Sequence, residues 1–247
     1  MAIIIFFLAH WYLSLFSQTF FLHRYGAHKM FVMTKFWERF FFIFTWLTQG
    51  SSFLSPRAYA ILHRMHHEYS DTERDPHSPH FSNNIFSMMF KTWKIFTNIN
   101  KQEYQKLNID EKFRKDLPEW NFVDTVGSSW TSRIIWGTAY GLFYIYFADH
   151  WTLFLLLPIH FFMGPVHGAI VNWCGHKLGY ANYDNNDKSK NSLVIDILLG
   201  GELYQNNHHK YANRPNFATK WFEFDITYPI IKLLSWVRII RLNTVTA

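Results

Sequence analysis

Three groups of histidine stand beside strongly apolar runs: His23 and His28, then His63, His66 and His67, then Gln205, His208 and His209. An imidazole nitrogen is a borderline-soft donor that suits iron, zinc or copper. His63, His66 and His67 are spaced i, i+3, i+4, which places them on one side of a helix within a turn. Gln205, His208 and His209 repeat that spacing. Neighbours such as His66 and His67 diverge by about 100° around a helix, so each can address a different metal. His23 and His28 are five apart, a poor same-face spacing, and Gly26 between them is expected to loosen the helix end and let both turn inward. Asn172 and His176 are four apart; His176 reads as a further ligand and Asn172 as the holder of a metal-bound water or as an outer contact to a ligand. The eight histidines are too many for one tetrahedral ion and about right for two metals in one pocket.

The other histidines weigh differently. His10, His150, His160 and His167 each stand alone in or beside an apolar run, where a satisfied core or interfacial residue is the expectation. His77 and His80 lie in the turn-like stretch Asp75-Pro76-His77-Ser78-Pro79-His80 and read as loop residues or outer contacts rather than ligands. Arg57, Arg64, Arg74, Lys91 and Lys94 read as a solvated basic face, with phosphate binding the less favoured alternative.

Four apolar stretches must position these groups. Ala2–Phe21 is about long enough to cross a bilayer as a helix, lacks the basic start and small-residue cleavage site of a signal peptide, and runs directly into His23. Phe40–Leu54 is interrupted by Thr45, Thr48, Gln49, Gly50, Ser51 and Ser52. Ile134–Ala148 is marginal in length, and Trp151–Trp173 contains Pro158, Gly164 and Pro165, which membrane helices tolerate. Residues 63–133 and 177–220 are polar and charged and belong together on the cytoplasmic side. If the histidines share one pocket, Ala2–Phe21 delivers the first pair, 134–173 is a hairpin that leaves and returns, and 40–54 must lie along the interface or dip in and come back. The tail Phe224–Leu242 reads as an amphipathic surface helix.

Composition agrees. Aromatic residues make up 20% of the 247-residue chain, with 26 Phe, 13 Tyr and 11 Trp, as suits a membrane protein with aromatic belts. Averaged over the chain, hydropathy is near neutral because a very polar remainder offsets the apolar runs. Cys174 is the one cysteine, so no intrachain disulfide forms. The net charge of +6 fits an anionic membrane face or a phosphate-bearing substrate; no nucleic-acid-binding signature accompanies it. The expected architecture is all-α: an integral membrane helical bundle with a cytoplasmic helical cap carrying the histidines, in a single domain spanning 1–247.

The motifs His23-x4-His28, His63-x2-His66-His67 and Gln205-x2-His208-His209 resemble the three histidine boxes of membrane fatty-acid desaturases. Asp75-Pro76-His77, Val171-Asn172 with His176, Gly201-Glu202 with His209, and Phe224–Tyr228 narrow the resemblance to the acyl-CoA (stearoyl-CoA, delta-9) branch in a bacterial form, over about residues 10–240. The resemblance implies a di-iron (Fe2+) centre with His23, His28, His63, His66, His67, His176, His208 and His209 as ligands, and Asn172 reaching one iron through water. It also implies O2-dependent insertion of a cis double bond, expected at delta-9, into a saturated fatty acyl-CoA or other acyl-lipid substrate, at a bacterial inner membrane. Two departures stand out. Gln205 occupies a position where that branch carries histidine, so it would coordinate weakly, hold a water or leave a position open. The family has two spans before the first box and one fits here, which implies an N-terminus outside or a further preceding span. The 38 residues after His209 are too few for a fused haem domain, so an external ferredoxin or cytochrome-type donor is expected. Competing readings are a phospholipid acyl desaturase, a di-iron hydroxylase or alkane monooxygenase, and a non-redox metal-binding or transport protein. The last is disfavoured because none of the four apolar runs contains Asp or Glu.

Overall fold

The computed structural model describes residues 1–243. The chain is mostly helical, as expected, with two small two-stranded sheets in addition. Helix α1 (Ala2–Phe16) continues without a break into a π-helix, Ser17–Ala27. The winding changes the reading of the first histidine pair. A π-helix bonds i to i+5, and the His28 amide donates to the His23 carbonyl at 3.1 Å. A five-residue spacing therefore returns to the same side. The pair converges through this winding rather than through a helix end loosened at Gly26, which is itself buried within the π-helix.

After strand β1 (Phe31–Met33), helix α2 (Lys35–Gln49) packs back along α1, with the Thr48 hydroxyl donating to Ser17 Oγ at 3.1 Å. The chain then reverses. Gly50 has φ 53°, Gly50–Ser52 is a 3-10 turn, and the Gln49 side-chain oxygen accepts from the Leu54 amide at 2.9 Å. Ser55 caps helix α3 (Pro56–Tyr69), accepting from the Ala58 amide, and Pro56 opens the first turn, where its missing N–H is harmless. Helix α3 returns to the π-helix and delivers His63, His66 and His67. The 40–54 stretch is thus the end of α2 and the reversal that follows it, not one straight helix.

Helix α4 (Ile85–Asn100) covers α3, and the short α5 (Asn121–Ser128) leads into α6 (Trp130–Phe147). Helix α6 runs away to Asp149, whose carboxylate lies 3.7 Å from the Met1 amino nitrogen. The run Trp151–Trp173 is not one straight helix. It divides into a 3-10 turn with α7 (Leu157–Phe161), and α8 (Met163–Lys177), bent by 76°. Pro158 and Pro165 each sit in the first turn of a helix, where the missing N–H costs no internal bond. The Gly164 amide, freed at the break, donates to Ser52 Oγ at 3.1 Å. Among the described residues, Ala2–Ala27 is the helix long and apolar enough to cross a membrane, and the bent pair Trp151–Lys177 makes a second if counted as one span. Helix α6 does not qualify; Thr131, Ser132, Arg133 and Thr138 dilute it.

Strand β2 (Ile195–Asp196) precedes helix α9 (Gln205–Lys210) and pairs in parallel with β3 (Phe224–Asp225). The tail departs from the expected helix over 224–242. Helix α10 (Thr227–Trp236) stops, Arg238 takes φ 61°, and Ile239 N donates to Leu234 O at 2.9 Å while Arg238 N donates to Ser235 O at 3.1 Å. That closure ends a helix with a left-handed residue. Strand β4 (Ile240–Leu242) then pairs antiparallel with β1, Phe31 opposite Leu242.

The main core gathers Phe20, Phe21 and Leu22 of the π-helix with Phe41, Phe42, Phe53, Tyr204 and Phe217. Burying each such side chain is worth about 1.5–3 kcal/mol, so this core fixes the π-helix against the elements that bring the other histidines.

Candidate metal centre

Eight histidines from the π-helix, α3, α8 and α9 converge in two groups. The potential ligand atoms of His23, His28, His63, His67 and His208 all lie within 4.8 Å of one another, and so do those of His66, His176 and His209. Adjacent residues part as their helical divergence requires: His66 and His209 go to one group, His67 and His208 to the other. In the larger group Nε2–Nε2 separations are 3.0 Å for His23–His208, 2.8 Å for His28–His63, and 3.0 Å for both His67–His63 and His67–His208. Two bonds of about 2.1 Å at right angles span roughly 3.0 Å, so these nitrogens are spaced as the donors of one cation would be.

Carboxylates hold the rings from behind. His23 Nδ1 lies 2.6 Å from Glu202, His66 Nδ1 3.0 Å from Asp75, His176 Nδ1 2.8 Å from Asp71 and His209 Nδ1 2.6 Å from Asp187. A ring whose Nδ1–H faces a carboxylate presents its bare Nε2 to a metal and is a better donor for it. Burial, then the neighbouring imidazoles, push the pKa of His28, His63, His67 and His208 well below the ordinary value. Burial also takes His209 down to about 4, against Asp187. These rings stay neutral, the form that ligates. At His66 burial opposes charge, but Asp75 outweighs it and the pKa is raised. Converging imidazoles, most of them held neutral by burial, fit a cation, so the donor set suits two metal ions.

The surrounding structure explains how so many polar groups are buried. Glu202 also accepts from Thr19 and from Arg24, whose other nitrogen reaches Asp225 at 2.7 Å. Arg24 is fully buried, with its guanidinium 3.9 Å above the Phe217 ring. The loop before α9 is tied by Asp196, which accepts from the amides of Leu199, Gly201 and Leu203 at 2.8–3.0 Å. Gly201 has φ 91°, and a Cβ there would lie 2.5 Å from Asp225. Helix α9 is anchored by Asn207, which donates to Phe217 O at 2.9 Å and Glu223 at 2.8 Å, and by Asn206, which accepts from the Asn182 and Tyr183 amides. Asp71, Asp187, Asn206 and Asn207 are not among the residues the sequence singles out, because loop residues carry no periodic signal. The Asn206-Asn207 pair inside the third histidine motif is the one hint it holds.

Asn172 and Gln205 do not bond to the histidines. Asn172 donates to Gly168 O at 2.8 Å, and Gln205 to Glu202 O at 2.7 Å. Both line a cavity of about 480 Å³ whose wall is mostly apolar, including Leu15, Leu54, Leu62, Phe96 and Val171. His63 and His77 also line it, so the cavity runs past the histidines. His80 is an outer contact, its ring donating to the His176 carbonyl at 2.8 Å. His10 and His160 pair with each other at 2.6 Å within the core, His167 is buried beside Trp11, and His150 is exposed.

The chain is similar to known proteins. The model of the family described as "Fatty acid desaturase" matches residues 1–232. The chain is 31% identical to an sn-1 stearoyl-lipid 9-desaturase of Synechocystis sp., over 86% of this chain and 62% of that protein. It is 30% identical to a protein of the same name from Anabaena variabilis, over 86% of this chain and 72% of the relative. An acyl-CoA 5-desaturase of Anemone leveillei is 27% identical over 91% and 66%. The chain thus spans 62–72% of the length of these relatives, and the matches do not single out an acyl-CoA branch. Histidine spacing, convergent geometry and the match over residues 1–232 agree: the chain belongs to the fatty acid desaturase family.

Proposed function

We propose that this chain, as a single desaturase domain over 1–247, is a membrane fatty acyl desaturase that inserts a cis double bond at delta-9 of a saturated acyl chain. The observation that carries the reading is the apolar cavity lined by His63, a member of the larger of two converging imidazole groups. His23, His28, His63, His67 and His208 would hold one iron, and His66, His176 and His209 the other. Bound iron would supply the O2-dependent removal of two hydrogens from adjacent methylenes. The protein's own residues do the rest. Leu15, Leu54, Leu62 and Phe96 grip the chain and exclude water. Glu202, Asp75, Asp71 and Asp187 fix ring tautomers, and Asn172 stands at the cavity wall where it could orient a bound water.

Helix α1 and the bent α7–α8 pair would enter the bilayer, with the histidines at its cytoplasmic face. Exposed Ile4, Ile5 and Leu8 on α1, and Ile134, Leu142 and Ile145 on α6, give lipid an apolar surface. Electrons would come from a ferredoxin or cytochrome-type donor docking on that face. The acyl carrier is the open choice between acyl-CoA and a membrane lipid. A specific feature favours lipid: Phe86, Phe90 and Trp93 of α4 line the cavity and are exposed, an apolar mouth that an acyl tail can enter from a bilayer. Lys91 beside them is bonded to the Asp75 carbonyl at 2.7 Å.

The test is expression in a host whose membrane fatty acids are profiled by gas chromatography. A new monounsaturated acid that disappears in His66→Ala is expected; an alcohol product would instead indicate a hydroxylase. An unchanged profile from iron-loaded protein with donor supplied would refute the reading. Labelled stearoyl-CoA against labelled lipid vesicles separates the carriers.

A further inference from the structure

We propose that residues 193–198 dip into the bilayer as a lipid-contacting wedge, beside the helix that delivers the first histidine pair. The inference rests on the reading of Ala2–Ala27 as a membrane span. The stretch 177–220 is polar and charged on the whole, yet it contains Leu193-Val194-Ile195-Asp196-Ile197-Leu198. Asp196 is buried, while the five apolar side chains are exposed, Val194, Ile195 and Ile197 by 53–55%. A contiguous apolar patch of this kind marks contact with something apolar. Two contacts fix its depth. Trp11 Nε1 donates to the Leu198 carbonyl at 3.0 Å, and Leu199 packs with Trp11, Leu15 and Met163. Trp11 stands well inside the span, six residues before the π-helix that begins at Ser17, or about 9 Å of helical rise. His23 lies farther on again. Leu198 is therefore alongside the apolar span and away from the level of the histidines.

The backbone is prepared for that place. An irregular segment at membrane depth must have its amides and carbonyls satisfied by protein. The Asp196 carboxylate accepts from the Leu199, Gly201 and Leu203 amides. The Tyr204 hydroxyl donates to the Val194 carbonyl at 2.7 Å and accepts from the Phe224 amide at 3.0 Å. Ile195–Asp196 pairs with β3, and Trp11 covers the Leu198 carbonyl. These polar groups turn inward, and the side chains that face outward are hydrocarbon. Phe224, opposite Ile195 in the sheet, is exposed as well, and Ile230, Leu233 and Trp236 of α10 add apolar surface just beyond it. Lys188, five residues before Leu193, and Lys220, four before Phe224, are exposed, cations where anionic headgroups would meet the chain. Continuity with the α1 span and the closed backbone make lipid the occupant of this face.

The test uses the full chain in vesicles of phosphatidylcholine and phosphatidylglycerol. Nitroxide labels are placed on Val194→Cys and on Ile197→Cys in a Cys174→Ser background, which removes the one native thiol. Leu8→Cys on the exposed side of α1 is the lipid reference, and Glu111→Cys, exposed and remote from the apolar runs, is the aqueous one. Electron paramagnetic resonance reads collisions with O2, which concentrates in hydrocarbon, and with a neutral nickel complex, which stays in water. Labels at 194 and 197 are expected to match Leu8, with O2 collisions several times those with nickel, the reverse of Glu111. Nickel access at 194 and 197 equal to that at Glu111 would overturn the inference. So would labels shielded from both reagents, the signature of a protein partner such as a second copy of the chain. A Leu8 label that reads as aqueous would instead bring down the membrane reading on which this inference stands. If Cys174→Ser does not fold, p-benzoylphenylalanine in place of Ile197 in the otherwise unchanged chain carries the test: photocrosslinks to lipid are expected, and crosslinks to protein alone would overturn the proposal.

Discussion

Glu202→Gln isolates the larger histidine group. Glu202 Oε2 lies 2.6 Å from His23 Nδ1, while Oε1 accepts from Thr19 and from Arg24 at 3.3 Å. Glutamine keeps the shape but offers one acceptor and one donor. With its oxygen toward His23, its NH2 opposes Thr19 and Arg24. With its nitrogen toward His23, it forces the ring proton onto Nε2, the atom that would meet the metal. Either orientation removes a favourable contact that the carboxylate makes. Losing such a partner behind a metal-binding histidine costs about 10–100-fold in affinity, or roughly 1.4–2.7 kcal/mol at 1.36 kcal/mol per decade. Without metal, a weakened buried contact to Arg24 costs about 1–3 kcal/mol, moderated because Asp225 still holds Arg24 at 2.7 Å. Chelator competition on the purified protein reads the first effect, and thermal melting of metal-free protein the second. Asp187→Asn is the control, because Asp187 backs His209 of the smaller group at 2.6 Å. The two variants should weaken different ions. A Glu202→Gln protein whose two affinities both stay within about twofold of wild type would refute the tautomer argument.

Three further outcomes are expected. Gly50→Ala places a Cβ 1.8 Å from the Tyr140 hydroxyl at a residue with φ 53° and ψ −121°; holding alanine in that sparsely populated backbone region costs about 1–3 kcal/mol, and a melting temperature equal to wild type would contradict it. Gly168→Leu adds bulk to the cavity wall, where a Cβ meets only Gln18 Nε2 at 3.9 Å; iron content should hold while product profiles shift to shorter chains, and an unchanged chain-length profile would count against this cavity as the acyl site. Burial pushes the Asp124 carboxyl up to about 6, partly offset by Ser55 and Arg57. An acid whose pKa is raised on folding destabilises the fold once pH passes its unfolded value, a penalty that grows between about pH 4 and 6 and is then complete, up to about 3 kcal/mol. Asp124→Asn should therefore gain stability over wild type above pH 6 and lose that advantage near pH 4 in denaturation series; a pH-independent difference would refute it.

The histidine pattern was legible because helical spacing is a local property. Residues 63, 66, 67 and 208, 209 point where a 3.6-residue turn sends them, and grouping by neighbour divergence follows. The His23–His28 pair was not, because π winding, here over residues whose Phe20, Phe21 and Leu22 lie in the core, leaves no 3.6-residue signature. The bend between α7 and α8 was present in Pro158 and Pro165, but a membrane span that tolerates proline has the same composition and hides it. The tail departs at Arg238, where a left-handed non-glycine residue ends the helix. The carboxylates behind the rings lie in loops: Asp75 and Glu202 stand in segments the resemblance picked out, while Asp71 and Asp187 become visible only once the fold brings them to their histidines.

The π-helix makes the first histidine motif intolerant of any change in length. Deleting one residue between His23 and His28 would let Ser17–Ala27 relax to ordinary α winding with a four-residue interval, yet the backbone following it would be rotated by about 100° and drawn back by about 1.5 Å. Strand β1 would then lose its alignment with β4, and the entrance to α2 would shift with it. Insertions and deletions in this stretch should be selected against far more strongly than substitutions, even at positions that touch neither the histidine groups nor the apolar cavity.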